Sequence, residues 1–134
     1  MTMGSALWPT QQGTHTLLAA FSGLTAIAQV LDFVPPNTAY DYVTHGPATE
    51  QKSDTEGLRN REVRFAIDGY SRAQGWSSVK QMAHQVILCL QDSKPTITGW
   101  TVLKVEFEST TTYFDQDGVG RRASVIFRAF LGGS

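Results

Sequence analysis

The stretch GWTVLKVEFESTTTYFDQDGVGRRASVIFRAFL, Gly99 to Leu131, decides the fold. On its first half Leu103, Val105 and Phe107 alternate with Lys104, Glu106 and Glu108. On its second, Val125, Phe127, Ala129 and Leu131 alternate with Ser124, Ile126, Arg128 and Phe130. A period of two marks strands with one buried face, because successive side chains leave opposite faces. Between the two runs, Asp115-Gln116-Asp117-Gly118 supplies turn chemistry.

The register follows from parity, since directly opposed residues of an antiparallel pair share a face. A two-residue turn at Asp117-Gly118 would set Phe107 against Arg128 and mix the faces. A three-residue loop, Gln116-Asp117-Gly118 with Gly118 left-handed, sets Asp115 against Val119. Phe107 then meets Phe127, Val105 meets Ala129, and Leu103 meets Leu131. On the other face Glu106 meets Arg128, a favourable charge pair. Past Phe107 the inward face continues as Ser109 and Thr111, opposite a segment that contains Arg121 and Arg122. Each arm runs to about 12 residues, roughly 40 Å, against a usual ~17–20 Å. The expectation is that the outer half, Ser109 to Ser124, projects beyond the chain's own core.

Working outward, Glu62 to Asp68 reads as another strand, with Val63, Phe65 and Ile67 inward and Glu62, Arg64 and Asp68 outward. Tyr40 to Thr44 reads as its partner. Between them Gly46 to Gly57 is polar and turn-rich, a loop longer than a tight hairpin requires, and long loops in small domains tend to be functional. Trp76 to Leu90 reads as a helix with Trp76, Val79, Ala83, Val86 and Leu90 on one face. Lys94-Pro95 ends it. Near the start, residues 1–8 look loose, and a helix begins at Pro9, a tolerated first-turn position. Its face carries Leu17, Phe21 and Leu24, Gly13 weakens it, and Gly23 is a plausible stop before a short turn over Leu24 to Val30. Val34-Pro35-Pro36-Asn37 then forces extended chain.

The order α-β-β-α-β-β predicts an α+β domain over residues 1–134: a two-layer sandwich of an antiparallel four-stranded sheet and two main helices. At 134 residues and 41% apolar content the chain suits one domain with a real core. Charged residues make up 17%, low for an isolated monomer and consistent with a surface covered in use. The net charge of −1, without blocks of like charge, argues against a nucleic-acid patch. No secretory leader and no apolar run of about 18 residues is present. The single cysteine, Cys89, sits in an apolar helical run and reads as core rather than nucleophile, in keeping with a reducing cytosol.

Chemistry-bearing motifs are missing. His15, His45 and His84 have no His, Cys or Asp at the short spacings typical of zinc ligands, so no metal is expected. Asp115-Gln116-Asp117-Gly118 resembles the opening of a calcium loop, but the later bidentate acid is absent and Arg121 and Arg122 stand where ligands are needed. Gly118-Val119-Gly120 precedes no helix, so it is a turn rather than a phosphate cradle. Glu106 and Glu108 share a face, yet Arg128 opposite Glu106 makes them rungs of a surface ladder. No catalytic residue and no cofactor are expected.

Several segments, in order, resemble the tail-completion, or tail-terminator, proteins of long-tailed phages, prophages and gene transfer agents. They are the Leu17–Leu24 helix, Val34-Pro35 running into Ala39-Tyr40-Asp41-Tyr42-Val43, the Asp54-Thr55-Glu56-Gly57 loop, Arg61-Glu62-Val63-Arg64-Phe65 with Tyr70-Ser71-Arg72, and Gly75-Trp76. The most diagnostic is Phe107-Glu108 through Phe114-Asp115-Gln116-Asp117-Gly118, returning as Ile126-Phe127-Arg128-Ala129. The resemblance covers Thr16 to Leu131. It implies a structural virion protein of the tail neck, assembled in the host cytoplasm. It further implies a homo-oligomer, a hexameric ring that caps the tail tube, stops its polymerisation and offers a surface for head joining. Its partners would be the major tail tube protein and a head-side connector; DNA would only pass through the lumen, and no membrane is involved. A ring subunit needs two different contact surfaces. Candidate contact residues are Glu50, Asp54, Glu56 and Arg59 around the loop, and Thr110, Thr112, Arg121 and Arg122 on the hairpin. Two other readings stay open: another neck or head–tail connector protein, and a small ligand-binding or enzymatic α+β domain, which would need an apolar pocket with convergent polar groups.

Overall fold

The structure, a computed structural model, describes residues 4–53, 60–116 and 118–133. In chain order it has α1 (Leu7–Ala20), α2 (Ser22–Thr25), β1 (Gln29–Leu31), β2 (Tyr42–Lys52), β3 (Asn60–Ser71), α3 (Ser77–Leu90), β4 (Trp100–Phe114) and β5 (Arg121–Gly133). The α+β class agrees with expectation, but the sheet has five strands in the order β1-β2-β3-β5-β4. The added strand, β1, pairs in parallel with β2, so the sheet is mixed rather than wholly antiparallel. Gln29-Val30-Leu31 is too short to carry a periodic signal, and it falls where the sequence suggested a helical turn; α2 takes up only the first part of that segment.

The helices cover one face of the sheet. Val63, Phe65 and Ile67 of β3 and Ala123, Val125, Phe127, Ala129 and Leu131 of β5 point into that layer and are buried. They meet Val79, Met82, Ala83, Val86 and Leu90 of α3, the face read from the sequence. Phe65, Phe127 and Phe107 form a row, with Phe65 stacked on Phe127 at 5.6 Å and Phe107 edge-on to it at 6.1 Å. Burying side chains of this size contributes about 1.5–3 kcal/mol each relative to exposure.

The first helix starts earlier than expected. Ala6 is fully buried, and its N–H and the Ser5 hydroxyl both donate to Glu50, at 2.8 and 2.7 Å. An anion at the positive end of a helix satisfies otherwise orphaned donors, so residues 5–8 are tied down rather than loose. Gly13 sits where α1 crosses the segment after α3: a Cβ there would lie 2.5 Å from the Thr96 carbonyl oxygen. Close helix approach, not a weakened helix, explains that glycine.

Strand β2 corrects the loop expected over 46–57. Residues 46–52 continue the strand, and Ala48 to Lys52 pair with β3 after a register shift between His45 and Ala48. Gly46-Pro47 marks that bulge, where a proline does not remove a ladder hydrogen bond. The rest of the expected loop, with Asp54, Glu56 and Arg59, lies outside the described residues.

The hairpin register holds at its centre. Glu106 faces Arg128, Phe107 faces Phe127 and Val105 faces Ala129, as derived. Two bulges alter the rest. One, between Val102 and Lys104, gives Val102 rather than Leu103 as the partner of Leu131, and Leu103 is left exposed. The other, between Phe107 and Ser109, shifts the outer pairing so that Thr110 meets Val125 and Thr112 meets Ala123. The helix-side residues of outer β4 are therefore Thr110 and Thr112, not Ser109 and Thr111. At the turn the Asp115 N–H donates to the Gly120 carbonyl at 2.8 Å, replacing the expected Asp115–Val119 pair. Gly118 does take the left-handed conformation, with φ 72°. Parity reasoning assumed an unbroken ladder, and each bulge adds one residue to one side.

Nor does the outer hairpin project as a free ribbon. β5 lies between β3 and β4, and its pairing with β3 runs from Arg121 opposite Ser71 to Gly132 opposite Asn60. β3, at 12 residues, is longer than its apolar core suggested, so it flanks the hairpin to its outer end.

Candidate assembly surface

The two arginines after the turn are held within the chain. The guanidinium of Arg121 lies over the rings of Trp76 and Phe114, 5.2 and 5.1 Å from their centroids, and its Nη1 donates to the Ala73 carbonyl at 3.1 Å. Such stacking combines cation–π attraction with an apolar cover. Arg122 emerges on the opposite face. Its Nη2 donates to the buried Oδ2 of Asp68 at 2.7 Å, and its guanidinium lies over Tyr70 and Tyr113 at 5.1 and 5.2 Å. The hydrogen bond and charge of Asp68 hold the Arg122 cation above the ordinary arginine range, against the opposing effect of burial. Burial pushes the Tyr70 hydroxyl up to about 12, so it stays protonated. Tyr42 stacks on Tyr70 at 5.0 Å, extending this cluster onto β2.

Lower on the same bare face runs a charged ladder. Glu108 accepts from Arg64 at 2.7 Å and lies 2.9 Å from Arg128, which also reaches Glu62 at 3.2 Å. Glu106, although opposite Arg128 in register, pairs with Lys104 at 3.2 Å. The ladder is the surface feature the sequence suggested, built with different partners. An open groove of about 270 Å³ crosses this face, lined by residues that include Thr49, Arg64, Tyr113, Arg122, Ser124 and Ile126. Its two arginines are neutralised by Glu108 and Asp68, and its described lining offers no nucleophile–base pair.

Those candidate contact residues that lie among the described residues fall into three groups. Glu50 anchors the start of α1 and pairs with Arg61 at 3.3 Å. Arg121 and Arg122 brace the outer hairpin. On β4, the edge of the sheet, Thr110 stands exposed and Thr112 is half-buried. With them at this end, Phe114 is 54% and Val119 59% exposed. An uncovered, weakly charged edge strand is a template for pairing with another chain. At the opposite end of the sheet, Phe33 follows the short edge strand β1 and is 74% exposed.

Sequence spacing missed one constellation. His15 of α1, Asp32 just after β1 and His45 of β2 bring their ligating atoms within 4.8 Å of one another. The parallel pairing of β1 with β2 sets Leu31 against Thr44, which places Asp32 beside His45. Burial and the neighbouring His15 hold the His45 imidazole below the usual histidine range, with Asp32 opposing them. Cys89 behaves as expected: half-buried, with its thiol pushed up to about 11 by burial, it is a poor nucleophile.

Comparison with known families matches residues 14–132 to the family described as tail completion protein gp17. The chain belongs to that family. It is accordingly a structural protein of a phage-type virion tail, as the resemblance implied. Among solved structures, a chain of the virion of a native gene transfer agent particle superposes with a TM-score of 0.85 at 22% identity, covering 98% of this chain and all of the other. At that identity the likeness is one of fold. A search of curated proteins finds no match. No helix among the described residues is long and apolar enough to cross a membrane.

Proposed function

We propose that this tail completion protein is a tail terminator: copies close into a ring on the last ring of the tail tube, end its polymerisation and present the surface for head joining. The observation that carries this reading is the pair of unlike sheet ends. One end is the long bare edge of β4 with Thr110, Thr112, Phe114 and Val119. The other is the short β1 edge with Phe33. A closed ring needs two different, mutually complementary surfaces on each subunit, and one sheet end of each copy meeting the other end of the next supplies them. Membership of the tail completion family supports the same role. Six copies, contact with the major tail tube protein on one side and with a head-side connector on the other, and DNA passing only through the lumen complete the proposal. The protein acts by shape and contact, with no catalytic step. Asp54, Glu56 and Arg59 are proposed as further contact residues. Arg121 and Arg122 act indirectly, by holding the edge in place, and Glu50 by anchoring α1.

Electron microscopy of particles assembled without this chain tests the role. A terminator's loss gives tubes of uncontrolled, excessive length without heads. Tails of normal length separated from heads would instead identify a head-side connector and overturn the proposal. Adding back the Thr110→Lys variant, which places a charge on the pairing edge, should fail to restore tube length if that edge is a ring contact.

A further inference from the structure

The cluster of His15, Asp32 and His45 has no part in the ring proposed above, and simple packing does not account for its geometry. Nε2 of His45 stands 3.4 Å from Nδ1 of His15. At that length the contact is at most a long N–H···N hydrogen bond with its donor set by the tautomer, against about 2.7–3.2 Å for N–H···O. It matches the edge of a tetrahedron built on metal–nitrogen bonds of about 2.0–2.1 Å, which is roughly 3.3–3.4 Å long. Oδ1 of Asp32 lies 4.0 Å from the same Nε2, and this carboxylate is nearly half exposed. The rings of His15 and His45 are tilted by 44° at 5.5 Å rather than stacked, and the ligating atoms of all three residues lie within 4.8 Å of one another. Gln11, one helical turn before His15, donates its amide to Oδ1 of Asp32 at 2.7 Å. Outer partners of this kind orient metal ligands.

We propose that His15, Asp32 and His45 bind a divalent transition-metal ion, Zn²⁺ foremost, as a three-ligand site whose fourth position is taken by water. Two imidazoles and one carboxylate are a donor set suited to zinc, with copper and nickel as competitors. The three ligands come from α1, the chain after β1, and β2, so the ion would clasp the short edge strand and the start of its following segment to the first helix. It would stiffen the end of the sheet where β1 adds only three residues of pairing.

The test is zinc titration of the full-length protein after exhaustive chelation and dialysis, read by calorimetry and by metal analysis. Wild type should take up one Zn²⁺ per chain and melt at a higher temperature with it. Asp32→Asn and His15→Gln should each weaken binding at least ~10-fold, and Gln11→Ala should weaken it by about 10–100-fold. The His45 side chain is only 8% exposed, so its substitution confounds folding with binding; Asp32 and His15 carry the test, with far-ultraviolet circular dichroism showing that the variants remain folded. Co²⁺ in place of Zn²⁺ should give the visible bands of a four-coordinate site in wild type and not in Asp32→Asn. No zinc uptake by the folded wild type, or uptake that these substitutions leave unchanged, overturns the proposal.

Discussion

Strands β4 and β5 are two arms of one hairpin, with similar alternation of apolar and polar residues, and they end in opposite circumstances. Every second residue of β5 from Ala123 to Leu131 is buried, because β5 has strands on both sides and α3 above it. On β4 only Val105 reaches that state among the described residues, while Leu103 and Phe107 are exposed by 52% and 37%. Alternation therefore reports that a strand has two unlike faces. Whether the apolar face is covered depends on its place in the sheet. A central strand carries the stability of the subunit. An edge strand of the same length is available to another chain.

That contrast can be broken experimentally. The largest effect is expected on β5: Phe127→Ala removes a fully buried ring between Phe65 and Phe107, at a cost of about 3–5 kcal/mol, measured by urea denaturation. A cost below that of the half-exposed Phe107→Ala would contradict the central-strand assignment.

Next comes Arg122→Ala, which leaves the carboxylate of Asp68 buried without its ion partner and should cost about 2–4 kcal/mol. The double change with Asp68→Asn should recover part of that loss, because the uncompensated charge goes with the arginine.

A smaller effect concerns α3, the helix laid over β5. The Cys89 thiol ionises near pH 9.0 when unconstrained and near 11 in the folded chain. Folding thus favours the protonated form, and stability is complete below pH 9 and declines as pH rises from there towards 11. Cys89→Ser should flatten the first part of that decline, leaving a component above pH 10 from Tyr70, whose hydroxyl is held at about 12. Thiol-reagent kinetics at pH 8 should show slow modification of the folded chain and fast modification in urea.

The smallest change in subunit stability is expected on β4 itself. Thr110→Lys, at an exposed edge position, should alter unfolding free energy by no more than about 0.5 kcal/mol. Its effect belongs to assembly, read as loss of ring-sized particles and of tube-length control. If Thr110→Lys unfolds the subunit, β4 is core and not interface.

The chain by itself determined the α+β class, the inward faces of β3, β5 and α3, the central register of the hairpin and the left-handed turn at Gly118. Each rests on local periodicity or on a residue whose backbone preference acts over a few positions. The family, too, was legible, in the segments from Val34-Pro35 to Ile126-Phe127-Arg128-Ala129. Tertiary structure decided the rest. It placed β1 in parallel on β2, and it inserted bulges that moved Thr110 and Thr112 to the helix side. It also set β4 rather than β5 at the edge, and gathered His15, Asp32 and His45 from three elements. Those outcomes depend on which elements lie side by side, a matter of packing between residues far apart in the chain, and spacing along the sequence carries no record of it.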